Sequence, residues 1–284
     1  MPSLSRLLLS GLLALALSCP AVARPARRAA ASDHFVFVAY GDTRSQPDKH
    51  RAVIAEIVRM RPEFVLQSGD LVARGGDAAD WTEFDAITKP LRDARIAYYP
   101  ARGNHDLGPY YIRYVPRPVT SGNGYYYGFT RHHNRFLIVD SFEDFSPGSP
   151  QYQWLEGELA RGRRTATNVF VMFHEGPFSV GPHGPNPEAQ QYLHPLFAKY
   201  RPRAVFCGHD HLYYRTRRDG VNYIVTGGGG APLYDPENRQ IAIPGDVIAK
   251  DYHAIRCVVD GPRVTAVVQT PDGRVLDRFT LGPK

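Results

Sequence analysis

Short apolar runs alternate with amphipathic stretches along most of the chain, and this rhythm sets the predicted elements. Residues 35–40 are β-branched and aromatic and read as a buried strand running into Gly41-Asp42. Residues 49–60 place Val53, Ile54, Ile57 and Val58 at helical spacing, and Pro62 stops the helix. The alternation continues with strand 64–67, helix 78–91, strand 96–100, strands 125–130 and 136–140, helix 152–159, strand 169–173, helix 189–200 and strand 204–207. Residues 223–226 lead into glycines 227–230, and the C-terminal stretch alternates as strands broken at Gly261-Pro262 and Asp272-Gly273. Residues 107–123, rich in Tyr, Pro and Gly, and the Gly/Pro-rich 175–187 read as loops. No repeat or interior linker interrupts the pattern, so residues 33–284 are expected to form one α/β domain.

The strand-like runs end alike. Their polar ends are Gly41-Asp42, Gly69-Asp70, Gly103-Asn104-His105-Asp106, His174 and Gly208-His209-Asp210-His211. Ligands of open α/β sheets bind beyond the carboxyl ends of the strands, so these clusters are expected to converge. Taken singly, Asp and Gly are turn formers, and His174 reads equally as a satisfied core histidine. Taken together, carboxylate, amide and imidazole suit hard or borderline divalent metals. Two such ions sharing a carboxylate clamp an in-line phosphoryl displacement and lower the pKa of a bound water. His209 and His211 alternate on what reads as an extended segment, which puts both on one side. The glycines before these polar residues allow tight turns and close backbone approach.

These blocks resemble the calcineurin-like metallophosphoesterase superfamily, whose pattern runs D-x-H, G-D, G-N-H-[DE], an isolated H and G-H-x-H. Four of the five blocks match in order between Asp42 and His211. The segments HEGPFSVGPHG (174–184), FAKYRPRAVFCGHDHLYYR (197–215) and YIVTGGGGAPLY (223–234) resemble the purple acid phosphatase-like branch. The resemblance implies a four-layer α/β/β/α sandwich with two metal ions, Fe, Mn or Zn, at the carboxyl edge of the sheets. Asp70 would bridge the metals; Asp42 and His211 would bind the first, and Asn104, His174 and His209 the second. His105 would be proton donor or phosphate contact, oriented by a hydrogen bond to Asp106, and His183 would lie beside the substrate. The chain is expected to lack the N-terminal β-sandwich of the larger plant members.

Two positions depart from the family pattern. Arg44 stands where D-x-H has its histidine, and Ala73 stands where purple members carry a tyrosine. The first metal is left with Asp42, Asp70 and His211, and no purple iron chromophore is expected. Arg44 is suited to contact substrate phosphate through its guanidinium.

The bulk properties add a location more than a chemistry. Arg6, an apolar run over 7–17 and Ala21-Val22-Ala23 form a charged start, a short hydrophobic region and an A-x-A cleavage site. Residues 1–23 therefore read as a signal peptide and 24–32 as a flexible leader, giving an exported, periplasmic or extracellular protein without a stable membrane span. The formal net charge of +6 fits an anionic partner, but the basic residues are dispersed and read as a solvated surface rather than a nucleic-acid site. Cys207 and Cys257 are open to one bridge or to two buried thiols. The tyrosines at 110–127 read as loop packing before an aromatic substrate wall, glycines 227–230 as a tight backbone passage before a phosphate cradle, and His132-His133 as a hairpin turn. The expected function is hydrolysis of small phosphomonoesters through metal-activated hydroxide. The alternatives are a phosphodiesterase acting on nucleotides or phospholipid head groups, and a non-catalytic phosphate- or metal-binding protein.

Overall fold

Five of the seven residues of β1 (His34–Tyr40) are buried, and Phe35, Phe37 and Ala39 face one side while Val38 and Tyr40 face the other. A strand buried on both faces needs a layer on each, and the rest of the chain supplies them. The computed structural model describes residues 34–115 and 121–281; the stretches read as signal peptide and leader lie outside them.

After β1 come α1 (Pro47–Met60), β2 (Phe64–Gln67), α2 (Ala78–Asp93) and β3 (Ala97–Pro100). Helix α1 starts on Pro47 and ends at Arg61 in the left-handed region, φ 50°. Helix α2 is capped by the Asp77 side chain, which accepts from the Ala79 amide. Then follow β4 (Tyr127–Arg131), β5 (Asn134–Ile138), α3 (Pro150–Thr165), β6 (Asn168–Met172), α4 (His194–Tyr200) and β7 (Ala204–Cys207). The chain closes with β8 (Tyr213–Arg218), β9 (Val221–Thr226), β10 (Val247–Ala249), β11 (Ala254–Asp260), β12 (Arg263–Gln269) and β13 (Val275–Leu281).

The strands form a six-stranded sheet, β13-β12-β11-β1-β2-β3, and a seven-stranded sheet, β10-β8-β9-β7-β6-β5-β4. Strands β1, β2 and β3 are mutually parallel, as are β5, β6, β7 and β9. Phe37 of the first sheet stacks on Phe64 and meets Phe136, Phe170 and Phe206 of the second edge-on, with centroids 5.2–6.2 Å apart. This cluster is the seam between the sheets. Val53, Ile54 and Ile57 of α1 and Ile87 and Leu91 of α2 cover the outer face of the first sheet. Leu155 and Leu159 of α3 and Leu196 and Phe197 of α4 cover the second. The order is helices, sheet, sheet, helices, as the resemblance implies.

The corrections are local. Helix α3 runs six residues past its expected end at 159. The expected helix 189–200 is a π-helical turn, Ala189–Leu193, followed by α4, because Pro195 has no N–H for residue 191. Strand β8 was not expected. Cys207 and Cys257 are free, buried thiols in different clusters. Among the described residues no helix is long and apolar enough to cross a membrane.

Candidate metal centre and active site

The carboxyl ends of the parallel strands bring the predicted residues together. Asp42 follows β1 and Asp70 follows β2, both at φ 57°, a backbone state that Asp tolerates. Asn104 opens a 3-10 turn, Asn104–Asp106, after β3. His174 follows β6, and His209 and His211 lie between β7 and β8. The first sheet thus supplies only oxygen donors and the second only imidazoles. Close approach explains the glycines: a Cβ on Gly103 would sit 2.2 Å from the Asp70 amide nitrogen, and one on Gly208 2.5 Å from Asp42 Oδ2.

The hydrogen bonds fix which nitrogens carry protons. His174 Nδ1 lies 2.9 Å from the Ser68 carbonyl oxygen and donates to it. In the neutral ring Nε2 is then a bare lone pair, and it faces Asn104 Oδ1 at 3.0 Å, His209 Nδ1 at 3.2 Å and Asp70 Oδ1 at 3.5 Å. His211 repeats the arrangement. Its Nδ1 donates to the Pro232 carbonyl at 2.7 Å, and its Nε2 is buried without a hydrogen-bond partner, 3.6 Å from Asp42 Oδ1. One ligand atom each from Asp42, Asp70 and His211 lies within 4.8 Å of the others. Lone pairs converging in a buried site repel unless a cation stands between them, and an imidazole held through its other nitrogen by a carbonyl is the usual setting of a metal ligand. The residues therefore fit two metal ions. Asp42, Asp70 and His211 would hold one, and Asp70, Asn104, His174 and His209 the other.

The electrostatics agree. Burial and then the Asp70 charge push the Asp42 carboxyl well above the usual range. Burial raises Asp70 as well, but His174, the His105 amide and ring, and Arg44 outweigh it and hold Asp70 low. Burial, reinforced by His174 and His183, lowers His209 to about 3, and burial lowers His211 to about 4, so both rings are neutral at pH 7.

Around this core the expectations divide. His105 donates its amide to Asp70 Oδ1 at 3.0 Å, and its Nδ1 donates to the Ala73 carbonyl at 2.7 Å. Asp106 does not orient that ring. Its Oδ1 accepts from the amides of Leu71 and Val72 at 2.8 and 3.2 Å, and its Oδ2 from that of Gly103 at 2.8 Å. It is a brace between two loops, because adjacent side chains on a helical turn point apart. Arg44 Nε lies 3.1 Å from Asp70 Oδ2, so its guanidinium reaches the centre. His183 packs on His209 with centroids 4.0 Å apart and hydrogen-bonds Asp210 through Nδ1 at 3.0 Å.

The His209–His211 segment is not extended. The Asp210 amide donates to the Gly208 carbonyl around His209, whose φ is 71°, and the Leu212 amide donates to Asp210. Both imidazoles still reach the centre through these tight turns. Glycines 227–230 are a backbone passage: the Gly229 amide donates to Gly41 and the Ala231 amide to Asp42. Tyr111 and Tyr127 pack in the core and bond the Pro100 carbonyl, and His132 stacks on Phe35 at a hairpin turn. Two neighbours had no predicted role. Asp210 anchors Ser179 and His183, and Tyr234 stacks on His211 with centroids 4.0 Å apart. Asp210 was findable as the residue between the two histidines; nothing in its spacing marked Tyr234.

The calcineurin-like phosphoesterase model matches residues 35–213, the span carrying all six proposed metal ligands. The chain belongs to the calcineurin-like phosphoesterase family. Soybean (Glycine max) purple acid phosphatase is 27% identical over 227 residues, covering 71% of this chain and 48% of that protein. A barley (Hordeum vulgare) nucleotide pyrophosphatase/phosphodiesterase is 24% identical over 267 residues, covering 77% of this chain and 72% of that one. The structure of a purple acid phosphatase from yellow lupin (Lupinus luteus) seeds superposes with a TM-score of 0.74 at 22% identity, over 88% of this chain and 54% of that one. These relatives put this calcineurin-like chain in the purple acid phosphatase-like branch. It spans about half the length of the first curated relatives it matches.

Proposed function

We propose that this calcineurin-like chain is a metal-dependent phosphoric ester hydrolase acting on phosphomonoesters. The observation that carries the reading is the pair of imidazoles, His174 and His211, each pinned at Nδ1 by a carbonyl and each turning a bare Nε2 toward a carboxylate. When bound, two metal ions supply a nucleophile from water near neutral pH and neutralise charge on the phosphoryl oxygens. Asp70 is placed to serve both ions, with Oδ1 toward His174 and Oδ2 on the Arg44 side. His105 is held at Nδ1 by Ala73, so in its protonated form Nε2–H is the proton it has to give to a departing alkoxide. Arg44 and His183 flank the centre as contacts for the ester.

The test is hydrolysis of an aryl phosphomonoester and an aryl phosphodiester by the chain reconstituted with Mn, Zn or Fe, beside Asp70→Ala. Metal-dependent turnover that Asp70→Ala abolishes is the expected result. Turnover of the diester alone would favour the second reading, which the barley relative supports. Metal binding without turnover of either ester would leave a binding protein.

The start of the sequence supports an exported protein cut after Ala23. Mass spectrometry of the secreted or periplasmic chain should find Arg24 as its first residue; a retained Met1 would overturn this.

A further inference from the structure

Arg44 stands two residues beyond a metal ligand and cannot be one. Its side chain nevertheless turns into the centre, and only 16% of it is exposed. Its Nε lies 3.1 Å from Asp70 Oδ2, on the carboxylate that both ligand sets share. The guanidinium thus lies against one oxygen of Asp70, Oδ2, while the other, Oδ1, faces His174 of the second ligand set. A cavity of about 70 Å³ opens beside Arg44, lined by His50, Ala73, Asp80 and Glu83 among others. The recess leaves room next to the contact on Asp70, while its own carboxylates already have partners, Asp80 on Arg74 and Glu83 3.9 Å from Arg51.

We propose that Arg44 is a built-in competitor of the first metal ion and makes the two sites fill in order. The site built on Asp70, Asn104, His174 and His209 binds first and tightly. The site built on Asp42, Asp70 and His211 binds later and weakly, because its ion has to displace the Arg44 guanidinium from Asp70 Oδ2. Two cations sharing one carboxylate with a guanidinium repel one another, and that repulsion falls on the site with fewer ligands. The inference rests on the two-metal reading but not on hydrolysis, since its readout is metal binding.

Calorimetric titration of the metal-free chain with Mn²⁺ tests it, for wild type and for Arg44→Met, which removes the charge without adding a good Mn²⁺ ligand. Wild type should show one tight and one weak site. In Arg44→Met the weak site should tighten at least roughly tenfold, within the usual range of coupling between adjacent sites. An unchanged weak site in a folded Arg44→Met chain, or two equal tight sites in wild type, would overturn the proposal. Should the variant fail to fold, electron paramagnetic resonance of wild type decides. At one equivalent of Mn²⁺ the isolated-ion spectrum is expected, with a coupled pair only in excess; a coupled pair at one equivalent overturns ordered filling. No binding of Mn²⁺ at either site, by contrast, would count against the two-metal reading itself.

Discussion

A single carbonyl decides how His105 works. With Nδ1 tied to Ala73 and the amide tied to Asp70, the ring has one nitrogen left to act with. If that nitrogen protonates the leaving group, His105→Ala should lower kcat most where the leaving group is poor. An alkyl phosphate should lose on the order of 100-fold or more, the range of a general acid, and a nitrophenyl phosphate clearly less. Equal losses on both esters would mean that His105 only binds phosphate. The six proposed metal ligands are legible in the sequence because each sits in a short motif at a strand end, where chemistry and position coincide. The Asp106 contacts are not legible. The sequence sets a carboxylate beside a histidine, but the groups that carboxylate meets are backbone amides of a loop more than thirty residues earlier.

Those contacts make Asp106 a matter of elements rather than of one residue. It fastens the loop after β2 to the turn after β3, and so holds Asp70 and Asn104 in register. Asp106→Ala would leave three amides without their acceptor. A loss of about 3 kcal/mol or more is expected, from roughly 1 to 3 kcal/mol for each buried group left unsatisfied. Thermal unfolding with and without metal checks it, and an unchanged midpoint would show that the loops need no brace. The same scale explains what the pattern missed. Strand β8 reads YYRTRR and does not look like a buried strand, yet Tyr213 and Arg215 both bond Asp277 on β13, the far edge of the other sheet. Helix α3 passes through Gly162, a poor helix residue, because a Cβ there would lie 2.7 Å from Val169 on β6. In each case a packing partner outside the element overrides local propensity, far along the chain for β8 and in the next strand for α3.

For the molecule as a whole, two neutral histidines outside the metal centre tie stability to pH. His50 bonds Tyr40, and His253 bonds Thr226 and the Asp251 carbonyl, all within the fold. Burial lowers them to about 3 and about 4. Below about pH 6.5 the unfolded chain protonates both rings while the folded chain does not. Their contribution is complete above that pH and is lost as pH falls toward 4, at roughly 1.4 kcal/mol per pH unit for each ring. Urea unfolding of the metal-loaded chain at pH 7 and pH 5 should show this slope, and the pair His50→Gln and His253→Gln should flatten it. An equal slope in both would place the acid sensitivity elsewhere.

At this scale the β-α alternation announces parallel strands and a shared edge. It does not announce that β11, nearly two hundred residues after β2, is the other neighbour of β1. Nor does it show how the ligands divide, with oxygens from one sheet and nitrogens from the other. That division gives the centre a second meaning. A chain whose two halves have not yet met can present carboxylates or imidazoles, but never the full set. If the centre takes up ions as proposed, loading would act as a proofreading step, since only a molecule whose two sheets have already met offers the full set.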